Sequence, residues 1–156
     1  MNYLITPIVC FLIFAGCDND EKQVPAEDYN STELREENKF TNTYEGILPC
    51  ADCKGIKIEL VLMGDYSTAD FTYKMHETYL STAEGDKTYK SEGRFIILRG
   101  DKVNSEAIVY QLDPDKEESL KNFLVVNENE IKLLDKEMNV IISRLNYSLF
   151  RKKNSE

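Results

Sequence analysis

The chain has 156 residues, 30% of them charged and 42% hydrophobic, with 28 acidic against 19 basic side chains, a formal charge of −9, four cysteines and one histidine. That length suits one domain of ordinary size and excludes a two-domain enzyme with large insertions. The acidic balance argues against nucleic acid as a partner, which calls for a basic patch. These averages conceal three unlike parts.

Residues 1–16 carry no charged side chain, and twelve of them are hydrophobic. The apolar run from Ile8 to Ala15 is far shorter than the ~20 residues a membrane-crossing helix needs. It reads as the hydrophobic region of a secretory signal peptide, with Phe14-Ala15-Gly16-Cys17 as the cleavage site. Small residues directly before a cysteine resemble a bacterial lipobox, although Phe14 stands where leucine is usual and no Lys or Arg precedes the apolar run. A lipid-modified Cys17 is therefore expected, and with it a membrane as the first partner. Each buried methylene contributes about 0.8 kcal/mol, so two or more acyl chains hold a chain firmly on a bilayer.

Residues 17–39 follow as the lipidated cysteine and a flexible tether. Positions 18–39 hold eight acidic and three basic side chains, with too little apolar surface to offset the entropy of ordering. Asp18-Asn19-Asp20-Glu21 is either a solvated spacer or a sorting signal, since an acidic residue after the lipidated cysteine resembles inner-membrane retention in some bacteria and surface export in others.

The third part, residues 40–156, alternates with period two. Ile56, Ile58, Leu60 and Leu62 share one face of a strand, and Phe71, Tyr73, Met75, Glu77 and Tyr79 share one face of the next. Further strands are expected at 93–98, 107–112, 123–126, 131–134, 140–142 and 147–150. Turn-forming clusters separate them: Gly64-Asp65, Glu84-Gly85-Asp86, Gly100-Asp101, Asp113-Pro114-Asp115 and Asn127-Glu128-Asn129. Residues 116–121 suit a helical turn, but nothing supplies the helices of βαβ units. The expected fold is all-β, an antiparallel meander of seven to nine strands closed or nearly closed into a small barrel.

No glycine-rich phosphate loop, Gly-x-Ser-x-Gly elbow or His-Glu-x-x-His pair occurs. The chemistry concentrates instead in Leu48-Pro49-Cys50-Ala51-Asp52-Cys53-Lys54-Gly55. Cys10 departs with the signal peptide and Cys17 carries lipid, which leaves Cys50 and Cys53 as the free thiols of the mature chain. Two intervening residues place both sulfurs on one turn, where they can close a small disulfide ring, chelate one ion or exchange with another thiol. Soft thiolates select Cu(I), which accepts two or three ligands, whereas structural zinc wants four. Met63, Met75, His76 and Met138 are further candidate ligands; Met75 lies in phase with the core face of its strand and His76 on the opposite face. Thioredoxin-like catalysis is disfavoured, because a strand rather than a helix follows Cys53 and Asp52 opposes thiolate formation. In an oxidising envelope a structural disulfide stands beside metal binding and redox exchange, and all three readings stay open.

Residues 44–56, Tyr44-Glu45-Gly46-Ile47-Leu48-Pro49-Cys50-Ala51-Asp52-Cys53-Lys54-Gly55-Ile56, closely resemble the Y-x-G-x-L-P-C-A-D-C-x-G-I signature of the NlpE family of copper-homeostasis outer-membrane lipoproteins. Tyr79-Leu80, Gly93-Arg94-Phe95, the segment from Leu134 to Ile141 and Asn146-Tyr147-Ser148-Leu149 extend the resemblance over residues 43–150. It implies a lipocalin-like barrel, a role in copper tolerance, a place in the cell envelope, most naturally at the outer membrane, and an envelope sensor kinase as partner. Longer members carry a second, C-terminal domain for which this chain has no room, and Met138 occupies a turn position where the family often has glycine, so a different turn is expected there. A carrier or partner-binding barrel with a structural Cys50–Cys53 disulfide is the competing function, since a lipocalin-like interior can hold an apolar molecule. No enzymatic activity is expected.

Overall fold

In the computed structural model, residues 38–153 are described; the signal peptide, Cys17 and the acidic tether before Asn38 lie outside them. Eight strands follow one another: β1 Lys39–Leu48, β2 Gly55–Asp65, β3 Asp70–Thr82, β4 Gly85–Arg99, β5 Ile108–Leu112, β6 Lys121–Asn127, β7 Glu130–Leu133 and β8 Ser148–Arg151. Each pairs antiparallel with the next, and β8 pairs with β1 through Tyr44↔Arg151 and Glu45↔Phe150, so the sheet closes into a barrel. There is no helix among the described residues. The all-β meander expected from the period-two pattern is the fold.

The alternation sets what lies inside. Ile58, Leu60 and Leu62 on β2, and Tyr73 and Met75 on β3, are buried, while Lys57, Lys74 and His76 between them face out. Phe95, Val109, Leu112, Phe123, Ile131 and Leu149 complete the interior. Fully burying a side chain of this size contributes about 1.5–3 kcal/mol. Rings run through the barrel in contact, with Phe71 5.4 Å from Phe95 and Phe95 5.6 Å from Tyr110. The lipocalin-like chamber of the carrier reading is thus occupied by the protein's own side chains.

Closure depends on a missing side chain. Tyr44, Gly46 and Leu48 fall on the inward face of β1, and a Cβ on Gly46 would stand 2.9 Å from the Ser148 carbonyl oxygen and 3.0 Å from the Leu149 side chain. Glycine here lets β8 cross close to β1.

A second close approach joins β3, β4 and the β5–β6 connection. Asp113, buried and in the left-handed conformation (φ 49°), ends β5. Its Oδ2 accepts hydrogen bonds from the Tyr73 hydroxyl (2.8 Å) and the Ser119 hydroxyl (2.9 Å), and Lys116 Nζ lies 3.4 Å from Oδ1. A Cβ at Gly93 would collide with that Oδ1. Burial acts to push the Asp113 carboxyl up, but the hydrogen bonds from Tyr73 and Ser119 and the Lys116 charge outweigh it and hold the group below the usual carboxylate value. Burial and the adjoining Asp113 push the Tyr73 phenol up to about 12.

Four local expectations are corrected. The segment before Ile56, which shows no period-two beat, is a ten-residue strand, β1. β4 begins at Gly85 rather than near residue 93, because its hydrophilic first half is held by β3. Residues 140–142 form no strand: Val140 makes one bridge to Leu134, Ile142 is 98% exposed, and β7 pairs with β8 instead. Residues 116–121 form no helical turn; Lys116 N–H and Ser119 N–H close two successive turns onto the Asp113 and Lys116 carbonyls.

The expectation of a different turn around Met138 is corrected as well: the 135–139 turn keeps a glycine-type backbone. Met138 itself adopts φ 63°, and Asp135 Oδ1 accepts the Asn139 N–H at 2.7 Å. The left-handed region costs a residue with a Cβ about 1–2 kcal/mol, part of which glycine returns through its freer unfolded chain. Met138→Gly is therefore expected to raise the urea-unfolding free energy by about 0.5–1 kcal/mol. Asp113→Asn should cost about 1–3 kcal/mol at neutral pH, since one side-chain oxygen is lost from a buried cluster. A carboxyl whose folded pKa is depressed contributes stability that is complete above its unfolded pKa, about 3.9, and lost as pH falls through the folded value. Stability measured from about pH 5 to pH 3 should accordingly fall less steeply in Asp113→Asn than in the parent; parallel acid limbs would show that the carboxylate is not held this way.

Candidate functional site

β1 and β2 pair without a break from Lys39↔Asp65 to Leu48↔Ile56, so the six residues 49–54 turn the chain back at one end of the barrel. Lys54 N–H donates to the Leu80 carbonyl at 3.0 Å and ties the loop to the end of β3. Within it Cys50 and Cys53 are joined, with sulfurs 2.04 Å apart and Cα atoms 5.3 Å apart. Both cysteines are half-buried or nearly so, and Ala51 and Asp52 between them are exposed. Cys53 Sγ lies 3.3 Å from the Gly55 carbonyl oxygen. A disulfide sulfur has no hydrogen to donate, so this is a close contact.

An open cleft of about 490 Å³ lies against the loop, walled by Pro49, Cys50, Cys53, Ile56, Tyr79 and Ala83. A second cleft of about 390 Å³ shares Tyr79 and Thr82 with the first and reaches Lys87 and Tyr89. Tyr79 and Tyr89 meet edge to face at 5.5 Å. Burial holds the Tyr79 phenol above its usual value, with the Glu77 charge adding to the effect. The disulfide thus opens onto an aromatic-walled surface groove.

The other candidate ligands do not converge here. Met75 is buried opposite Leu60, and His76 is exposed on the outer face opposite Glu59. Both stand four to five residues along β3 from Leu80, roughly 13–16 Å at strand spacing. Met63 pairs with Thr41 on β1 toward the opposite end, and Met138 sits in the 135–139 turn. Among the described residues no group of three or more His, Cys, Asp or Glu side chains could hold a metal ion. Two thiolates suffice for Cu(I) once the disulfide is reduced, whereas structural zinc takes four ligands. The sequence reading missed the Tyr79–Tyr89 groove and the Asp113 cluster. The Asp113-Pro114-Asp115 turn signal pointed to the place of the second, not to its burial.

An eight-stranded antiparallel barrel with a Cys-x-x-Cys loop at one end defines the class: a small β-barrel module with a surface disulfide. The family description that matches is the NlpE N-terminal domain, over residues 44–144. The chain belongs to the NlpE family. It is 28% identical to lipoprotein NlpE of Escherichia coli K12 over 142 residues, 91% of this chain and 52% of that protein. The chain therefore spans about half the length of that curated relative. No solved structure matches it.

A four-residue disulfide ring removes little freedom from the unfolded chain; the chain-entropy relation gives about 2 kcal/mol. Reduction under native conditions should therefore lower the unfolding free energy by no more than about 2 kcal/mol and leave the far-ultraviolet β signal intact. Collapse of that signal on reduction would place the bond in the fold's foundation rather than at a responsive site.

Proposed function

We propose that the protein is a lipid-anchored cell-envelope protein, held through Cys17 at the outer membrane on its periplasmic or outer face, whose Cys50–Cys53 pair senses copper or thiol oxidation. The observation that carries the reading is the position of the pair. It lies on a half-exposed loop outside the packed interior, beside an open groove, where its chemistry can change without unpacking the barrel. Membership of the NlpE family supports the envelope lipoprotein setting.

The chemistry balances simply. Two electrons and two protons from an external dithiol convert the disulfide to two thiols, and Cu(I) binding releases those protons as both sulfurs become thiolates. Cys50 and Cys53 would hold the metal. His76 and Met75 are not placed to join them. A change between ring and open loop alters the wall that Cys50 and Cys53 give the groove, and an envelope sensor kinase or another envelope protein is the reader of that change. The aromatic groove also favours a second reading, a partner-binding barrel in which the disulfide is only structural.

The two readings separate in one titration. The anaerobically reduced protein should bind one equivalent of Cu(I) in competition with a chromophoric chelator, and the Cys50→Ser/Cys53→Ser protein should not. Equal affinity in the two would remove the metal role and leave thiol-oxidation sensing or partner binding.

A further inference from the structure

β4 is the longest strand, yet its two halves have different neighbours. Phe95–Arg99 pairs with β5, whereas Lys87–Arg94 pairs with β3 alone. The chain leaves β4 at Asp113, so residues 86–92 form an open edge inside a nominally closed barrel. No turn or loop backbone group among the described residues bonds to them.

The phase of this edge follows from one hydrogen bond. Asp113 N–H donates to the Arg94 carbonyl at 2.9 Å, so Arg94 directs its backbone polar groups away from β3. Register with β3 is unbroken from Arg94↔Thr72 to Lys87↔Tyr79, and the irregularity beyond lies on the β3 side. Polar groups alternate along a strand, so those of Glu92, Lys90, Thr88 and Asp86 also face outward. The Thr78–Thr88 hydroxyl contact at 2.8 Å agrees, because side chains approach most closely in pairs that do not exchange backbone bonds.

We propose that a second copy of this chain pairs with this edge, β4 against β4, antiparallel about a two-fold axis with Thr88 opposite Thr88. A two-fold antiparallel pair places one residue opposite itself. Centring on a residue bonded to β3 fails: Lys87 would oppose itself, Tyr89 would set Asp86 against Glu92, and Ser91 would set Thr88 against Arg94, whose carbonyl Asp113 already occupies. Centring on Asp86, Lys90 or Glu92 would oppose like charges at the axis. Centring on Thr88 opposes two hydroxyls and sets Asp86 against Lys90 of the second copy, twice. Asp86 is prepared for this: its Oδ1 accepts the Ser81 N–H at 2.7 Å, which fixes the carboxylate while Oδ2 remains available. Lys87 then lies across from Tyr89 of the second copy, a cation against an exposed ring. The next outward residue, Glu92, would meet Glu84, which lies in the hairpin turn and is already ion-paired with Lys87. Three pairs, 86–90, 88–88 and 90–86, each exchange two backbone hydrogen bonds across the axis. Neither copper nor the state of the cysteines enters this pairing.

A self-opposed residue can be tested by crosslinking to itself. Thr88→Cys is introduced into the full chain, and Lys74→Cys, exposed on the outer face of β3, serves as control. Mild oxidation should give a disulfide-linked dimer through position 88 well above the control level. Adding Lys90→Glu should reduce crosslinking to that level, by setting one carboxylate against that of Asp86, and adding Asp86→Lys as well should restore it, with folding followed by circular dichroism. Crosslinking no greater than the control, or crosslinking indifferent to Lys90→Glu in a folded protein, would overturn the proposal.

Discussion

The buried Asp113 carboxylate decides where this barrel stops being continuous. It accepts from Tyr73 on β3 and from Ser119 in the following turn, and it fits against the bare backbone of Gly93 on β4. Three parts of the chain are fastened at one anion, and their hydrogen bonds and the Lys116 charge offset the cost of burying it. Because the left-handed Asp113 turns the chain away at this level, β5 accompanies β4 for five residue pairs. Beyond it β4 leans on β3 alone. The surface groove beside Tyr79 and Tyr89 and the unpaired edge of residues 86–92 are both consequences of that departure. A barrel whose strands matched in length would have neither.

The cysteine loop sits on the opposite side of the same β3 strand, at the end of the longest continuous ladder. β1, β2 and β3 are paired along almost their whole length, and Ile58, Leu60 and Leu62 of β2 are buried. The loop that joins β1 and β2 therefore leaves a stiff platform. Its link to β3 is a main-chain hydrogen bond from Lys54 to Leu80, which does not require the disulfide. Chemistry at the sulfurs can in this way be local: the ring opens or closes on a rigid support, and the altered surface is the wall of the groove.

Much of this was legible in the sequence because period two maps directly onto burial in a half-exposed strand. Ile56 to Leu62 and Phe71 to Tyr79 show it most clearly. β1 was harder to read, since its inward positions are Tyr44, Gly46 and Leu48, and the glycine that permits β8 to cross also erases the apolar beat. The first half of β4 was hidden for the opposite reason: Asp86, Lys87, Lys90 and Glu92 are polar because they are exposed, yet they remain strand through their bonds to β3. Val140 to Ile142 has strand composition without a strand neighbour, because β8 already occupies the edge of β7. For the site, spacing alone put Cys50 and Cys53 on one turn, whereas the distance of Met75 and His76 from that turn depended on the β2–β3 register.

The thiol pair and the β4 edge belong to one domain but act on different atoms. The disulfide meets the groove through Cys50, Cys53 and Tyr79; the edge presents the backbone of Thr88 and Lys90, one strand further on and on the far side of β3. Lys87 and Tyr89 are common to both surfaces, since they wall the groove and stand beside the edge that a second copy would extend. Coupling between two sites requires an element with two arrangements that both sites bias. The β3–β4 hairpin is paired from Thr72 to Tyr79 in a single register, with its irregularity confined to the tip at residues 80–82. If any segment carries information from the cysteines to the edge, it is that tip, where Leu80 receives the loop's hydrogen bond and Ser81 donates to Asp86.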